Sequence, residues 1–153
     1  DVIDSFLKNL KKYQNYLPDY IIYLRPTQPL RKVLHINNAI KKIKKNKVDC
    51  VRTTRESPYP PYWMKKINKK GIISPFQNSV IKYQNKITQF LPKVYICDGY
   101  VDIFRVNSIT SKKNFPPKNQ MSLLIDDTPY VDIDDLDDFK YCEYLINNYD
   151  TNI

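Results

Sequence analysis

"YIIYLRPTQPLRKVLHINNAIKKIKKNKVDCVRTT", residues 20–54, decides the fold. Its first five residues, Tyr20 to Leu24, are a continuous apolar, β-rich run. That pattern predicts a strand buried on both faces, as in a parallel sheet covered by helices. "RPTQPLR" (25–31) follows as a loop bracketed by prolines. From Val33 the period changes. The new period predicts an amphipathic helix with Val33, Leu34, Ile36, Ile40 and Ile43 inward. The run "KKIKKNK" (41–47) fits its exposed face and its C-terminal end, where the helix dipole favours cations. "VDCVRTT" (48–54) reads as a second strand. Strand, helix and strand in this order predict a βαβ unit with a right-handed crossover, hence an α/β fold with a mostly parallel sheet.

Outward from this stretch the pattern continues. "DVIDSFLKNLKKY" (1–13) sets Val2, Ile3, Phe6, Leu7 and Leu10 at helical spacing. Downstream, "ESPYPPYWMKKINKKGIISPF" (56–76) holds four prolines and two strand-like pieces, 63–68 and 72–76, around a turn at Gly71. Residues 77–92 show no period. "KVYICDGYVDIFRV" (93–106) reads as two strand-like pieces either side of Asp98–Gly99. "NSITSKK" (107–113) reads as a short helix, "MSLLIDD" (121–127) as a strand and "YVDID" (130–134) as a last short strand. "DDLDDFKYCEYLINNY" (134–149) reads as a closing helix with Leu136, Phe139, Cys142, Leu145 and Ile146 inward.

The 153 residues suffice for one domain, and 42% hydrophobic with 27% charged residues places the chain among globular proteins. No run of about 18 apolar residues predicts a membrane span, and no signal peptide is visible. The expectation is a cytoplasmic protein. The chain opens on Asp in helix-like sequence, so a natural N-terminus further upstream is expected.

Only two glycines, Gly71 and Gly99, are present. A glycine-rich phosphate loop therefore cannot lie within these residues. Cys50, Cys97 and Cys142 are far apart without CxxC spacing and read as reduced thiols. The single histidine, His35, shows no cysteine partner, which argues against a thiol nucleophile. The net charge of +9 rests on 20 lysines against 5 arginines. Abundant Lys, Asn, Ile and Tyr are what an AT-rich coding sequence yields, so charge alone argues weakly for nucleic acid, and no such partner is expected.

The acidic stretch "PYVDIDDLDDFKYCEYL" (129–145) divides by chemistry. On a strand, Asp132 and Asp134 share one face, opposite Val131 and Ile133. Two carboxylates so placed repel unless a cation lies between them. Such oxygen donors suit Mg²⁺, which takes one or two carboxylates and completes its shell with water and phosphate. The alternative is an edge strand with solvated carboxylates. Asp135, Asp137 and Asp138 fall at the cap and first turn of the closing helix, where negative charge is favoured.

Four segments, in order, resemble one family, the acylneuraminate (nonulosonic acid) cytidylyltransferases. "YIIYLRPTQPLR" is similar to its strand and "L-x-P-T-S-P-L-R" turn. "VDCVRTTRESPYPPYWMKKINKKGIISPF" resembles its "H-P-Y-W/K-M" and "I-x-x-x-G-x-I-x-P-F" segment. "QFLPKVYICDGYVDIFRV" looks like its "R-Q-x-L-P-x-x-Y-x-x-N-G" segment. "YVDIDDLDDFKYCEYLI" resembles its terminal "I-D-I-D" element. The match runs over about residues 1–146.

The resemblance implies a Rossmann-like nucleotidyltransferase fold, truncated at the N-terminus, with 1–153 forming the C-terminal two-thirds of that domain. A small β extension, expected at 77–118, would make a contact in a homodimer. It implies transfer of CMP from CTP to an acidic nine-carbon sugar, of sialic or legionaminic acid type, with release of pyrophosphate. Asp132 and Asp134 match the carboxylates that bind the catalytic Mg²⁺. Arg25, Thr27, Gln28 and Arg31 match the loop that lines the sugar site. Arg31 is expected either to pair with a carboxylate or to cap loop carbonyls. Departures are equally specific. The family's "A-R-x-G-S-K-x-x-x-x-K-N" nucleotide loop is absent, Arg25 stands where many members carry a sugar-contacting glutamine, as in some members that use related sugars, Gln28 replaces a serine, Thr88 an arginine, and Asp98 an asparagine. An upstream segment is therefore expected to be needed for activity. A non-catalytic homologue acting as a binding or structural module is the alternative.

Overall fold

The computed structural model describes residues 2–111 and 115–148. The N-terminal stripe forms α1 (Val2–Gln14), which buries Ile3 and Leu7. Residues 20–54 follow the predicted order: β1 (Tyr20–Tyr23), α2 (Val33–Lys45) and β2 (Cys50–Glu56). The hairpin at Gly71 is β3 (Lys65–Ile67) paired antiparallel with β4 (Ile73–Pro75). Gly71 takes φ +79°, which a side chain would strain. Then come β5 (Tyr95–Arg105), α3 (Val106–Ser111), β6 (Gln120–Leu124) and α4 (Leu136–Asn148). The end of the "NSITSKK" helix, residues 112–113, lies outside the described residues.

The chain divides into two compact units, one of Asp1–Thr54 with Cys97–Ile153 and one of Arg55–Ile96. In the first, four strands form a mixed sheet in the order β1-β5-β2-β6. The β2/β6 pair is parallel, Cys50 opposite Gln120 to Thr54 opposite Leu124. The β1/β5 pair is antiparallel, Tyr20 opposite Arg105 to Tyr23 opposite Asp102. An antiparallel strand thus stands inside the sheet, which corrects the mostly parallel reading. The α/β class stands.

Alternation along the strands builds two cores. Val51, Val101 and Ile103 face α2 and α4, packing with Ala39, Ile43, Cys142 and Leu145. Cys50 and Phe104 face the other way, against Ile3 and Leu7 of α1. Each aliphatic side chain so buried contributes about 1.5–3 kcal/mol.

Five local readings need correction. On α2 the buried residues are His35, Ala39 and Ile43, whereas Val33 and Leu34, expected inward, are exposed. Residues 20–22 are only half-buried and Tyr23 is exposed, because β1 ends the sheet order and has a ladder on one side alone. The two pieces read around Asp98–Gly99 are one continuous strand, β5, in which Gly99 takes φ +78°. This local turn places consecutive Tyr100 and Val101 in the same core, as a bulge does. Residues 130–134 form no strand. Their backbone bond, Ile133 N–H to Thr27 O at 3.0 Å, goes to a loop, and one bond makes no ladder. On α4 only Cys142 and Leu145 are buried, whereas Leu136, Phe139 and Ile146 are exposed. An apolar stripe gives a face but not the neighbours that would cover it.

The second unit, Arg55–Ile96, holds the hairpin and three short 3-10 turns, Pro61–Trp63, Asn78–Tyr83 and Thr88–Phe90. Residues 77–92, without period in the sequence, supply two of these turns. Only Tyr62 and Val80 are buried hydrophobics among its described residues.

Candidate functional site

Arg25 follows β1, where Pro26 and Pro29 end the run of strand-forming residues. The turn closes through Gln28 N–H to Arg25 O at 3.2 Å. Arg31 then clamps it: Nη1 donates to Arg25 O at 2.8 Å and to Tyr100 O at 3.4 Å. Burial lowers the Arg31 pKa from its ordinary value. Of its two expected roles, Arg31 here fills the carbonyl-capping one. Leu30, fully buried, anchors the loop in the core.

The Ile133–Thr27 bond brings the acidic segment to this loop, across 106 positions of sequence. Val131 and Ile133 pack into the core, and Asp132 and Asp134 alternate with them. The segment is held from a second side, where the Tyr100 hydroxyl donates to Pro129 O at 2.5 Å. All the residues matched by resemblance, Arg25, Thr27, Gln28, Arg31, Asp132 and Asp134, thus lie on two segments that touch.

Their environments differ. The Asp135 carboxylate accepts from Asp137 N and Asp138 N at 2.9 and 3.0 Å. Asp138 Oδ2 accepts in return from Asp134 N and Asp135 N at 3.0 and 3.3 Å. This reciprocal capping box starts α4, where the sequence predicts the cap and first turn of the closing helix. Asp137 pairs with Lys140 at 3.2 Å. Among the described residues, the carboxylates of Asp132 and Asp134 accept no hydrogen bond and pair with no cation. Two hard oxygen donors left uncompensated, one residue apart, fit a hydrated Mg²⁺. Among the described residues no three His, Cys, Asp or Glu side chains converge on one point, so water and substrate would complete such a shell.

Gln28 is 0% exposed, and neither its Oε1 nor its Nε2 has a protein partner among the described residues. An unsatisfied buried amide costs about 1–3 kcal/mol. Gln28, matched by resemblance to the sugar-lining loop, is thus fully buried.

A cavity of about 200 Å³ opens beside Arg25. Its polar wall is Arg25, Arg52 and Asp102, and its apolar wall includes Ile3, Tyr23, Phe104 and Phe115. Asp102 is buried, its side chain 3% exposed. It takes Arg52 Nε at 2.9 Å and Nη2 at 3.2 Å, and Arg25 Nη2 at 3.2 Å. Hydrogen bonding to Asp102 raises the Arg52 pKa. Two guanidiniums against one carboxylate leave one positive charge at the cavity wall. Gly99 leaves room for Arg25 to cross it: a Cβ there would overlap Nη1 and stand 3.1 Å from Cζ.

Arg52 and Asp102 carry no motif, and sequence reading missed both. The available signal was Asp102 itself, a carboxylate within the apolar run "YVDIF", which demands a buried cation. Cys50, under the same wall, is pushed up to about 12 by burial and then by Asp102. It is a thiol near neutral pH.

Behind the loop, His35 Nδ1 accepts from Lys32 N at 3.1 Å, which leaves Nε2 to donate to Asp127 Oδ1 at 3.1 Å. Thr128 Oγ1 donates to the same oxygen at 3.2 Å. These bonds pin the start of α2 to the chain just before the acidic segment.

Comparison with protein-family models finds no match, and a search of functionally characterised proteins finds none either.

Proposed function

We propose that the chain is the sugar-binding and metal-binding part of a cytidylyltransferase that joins CMP to an acidic nine-carbon sugar and releases pyrophosphate. The observation that carries this reading is the Ile133–Thr27 bond. It joins the two segments that resemble the family's sugar loop and its carboxylate pair, which are far apart in sequence.

Arg25 and Arg52 would receive the sugar carboxylate. A guanidinium matches a planar acid in a fork geometry that lysine lacks. Asp102 orients both arginines, and the wall of Tyr23, Phe104 and Phe115 excludes water from one side of the sugar. Asp132 and Asp134 would hold Mg²⁺, which supplies charge neutralisation at a phosphate during nucleotidyl transfer. The protein's share is placement of sugar and carboxylates on one rigid loop pair, because such transfers depend on positioning more than on covalent help.

Turnover requires a phosphate-binding segment beyond these residues, since two glycines cannot furnish a glycine-rich loop. The alternative, a non-catalytic homologue, draws its support from Arg31, which is committed to carbonyls.

Calorimetric titration with N-acylneuraminic acid tests the reading. Binding is expected, and Arg25→Gln should weaken it at least tenfold while the fold persists. Equal binding by the variant, or turnover of CTP by residues 1–153 alone, overturns it.

A further inference from the structure

Charge is not spread evenly. Residues 55–96 hold eight lysines and arginines against a single carboxylate, Glu56, so seven of the nine net positive charges fall in the small unit. An AT-rich coding sequence explains many lysines, but it does not explain their segregation from carboxylates. The same unit exposes Tyr59, Trp63, Phe76 and Phe90.

We propose that the unit Arg55–Ile96 binds single-stranded nucleic acid, independently of the sugar site. The β3–β4 hairpin is its cationic ribbon. Register places Lys65 opposite Pro75 and Lys66 opposite Ser74. Adjacent strand residues point to opposite faces, so the hairpin carries a lysine on each. Lys69 and Lys70 extend from the turn. Asn68 Oδ1 fixes that turn by accepting from Lys70 N at 2.9 Å and Ile72 N at 3.0 Å. The charge is therefore two-sided and held in place.

That geometry selects the partner. A flat anionic bilayer meets only one face of a ribbon, whereas a flexible strand of phosphates follows both. Lysine, a compact point charge, suits phosphate contacts without sequence preference. Base faces need flat partners, and exposed aromatics interleaved with lysines supply them. Tyr83 shows the arrangement within the unit: Lys82 and Lys86 lie 4.9 and 5.7 Å from its ring centre.

Trp63 is the only tryptophan, so its fluorescence reports on this unit alone. A 20-nucleotide oligo(dT) is titrated into the full chain from 50 to 300 mM NaCl, read by Trp63 emission and by anisotropy of the labelled strand. Expected is quenching with saturable binding that weakens steeply with salt. Each phosphate that the protein no longer neutralises lowers the slope of log K against log salt by about 0.7. Replacing Lys65, Lys66, Lys69 and Lys70 by Gln should lower it by about 3, and Lys69→Gln with Lys70→Gln alone by about 1.4. The pair of tip variants serves if the fourfold variant fails to fold. Phe76→Ala should weaken binding about tenfold. Three outcomes overturn the proposal: no binding at 50 mM NaCl, a salt slope unchanged by the tip variants, or capture by phosphatidylserine vesicles with no response to oligo(dT).

Discussion

Arg25 crosses directly over Gly99, where a side chain would stand in its path to Asp102. Gly99 serves two ends at once. Its φ of +78° turns β5, and its missing Cβ makes space for a guanidinium that closes the cavity. Gly99→Ala should therefore cost about 1–2 kcal/mol from the left-handed backbone alone, plus the displacement of Arg25. Urea unfolding reads the first effect and sugar titration the second. A variant with wild-type stability and affinity would refute both.

Asp102 is the hinge of the arginine pair. Asp102→Ala should destabilise by about 2–3 kcal/mol. That lies below the roughly 3–5 kcal/mol typical of breaking a buried pair, because Arg25 and Arg52 keep 33% and 20% exposure. Arg25→Ala should cost only about 1 kcal/mol, since Arg52 still satisfies Asp102 through two bonds. The order of the two losses, measured by urea midpoints, is the test. A reversed order means that Arg25 supports the fold more than the cavity.

Asp127 gives the chain an acid-sensitive contact. Burial pushes its pKa upward, but the hydrogen bonds from His35 and Thr128 and the nearby Lys32 ammonium outweigh this, and the net shift is downward. An unfolded Asp titrates near 3.9, roughly. A lower folded value means stabilisation that is complete above that pH and fades as pH falls through the folded value. The stability difference between wild type and Asp127→Asn should hold steady above about pH 5 and shrink on further acidification. A difference flat down to about pH 2 would show that the contact is not ionic. The side chain is nearly half exposed, so high salt should weaken the effect.

How much of this was legible follows from what each signal encodes. Periodicity marked α1, α2, β2, the Gly71 hairpin, β6 and α4, because local burial repeats along the chain. It misjudged β1, whose apolar run reads as central although the strand lies at an edge. Sheet order depends on which distant strand arrives beside it, here β5. The break at Asp98–Gly99 looked like a loop, since glycine punctuates loops and bulges alike. The loop 25–31 and the acidic segment were legible as separate pieces. Their meeting through Ile133 and Thr27 was not, and neither was the joining of Arg52 to Asp102 across 50 residues. Such pairings are fixed by topology.

The acidic stretch offers a double dissociation. Asp135 and Asp138 commit their carboxylates to backbone N–H groups at the start of α4. Asp135→Ala should cost about 1 kcal/mol, as loss of an N-cap does. Asp138→Ala should cost a similar amount, and the double variant less than the sum, because the two carboxylates form one box. Neither carboxylate is needed to hold a cation, so thermal stabilisation by millimolar Mg²⁺ should persist in both. Asp132→Asn and Asp134→Asn should behave in reverse. These carboxylates have no protein partner among the described residues, so melting in the absence of metal should stay within about 0.5 kcal/mol of wild type. It should even rise slightly as repulsion is relieved. The Mg²⁺-dependent shift should vanish. A response to Mg²⁺ that survives both asparagine variants but disappears with Asp135→Ala would move the cation from the Asp132–Asp134 pair to the helix start.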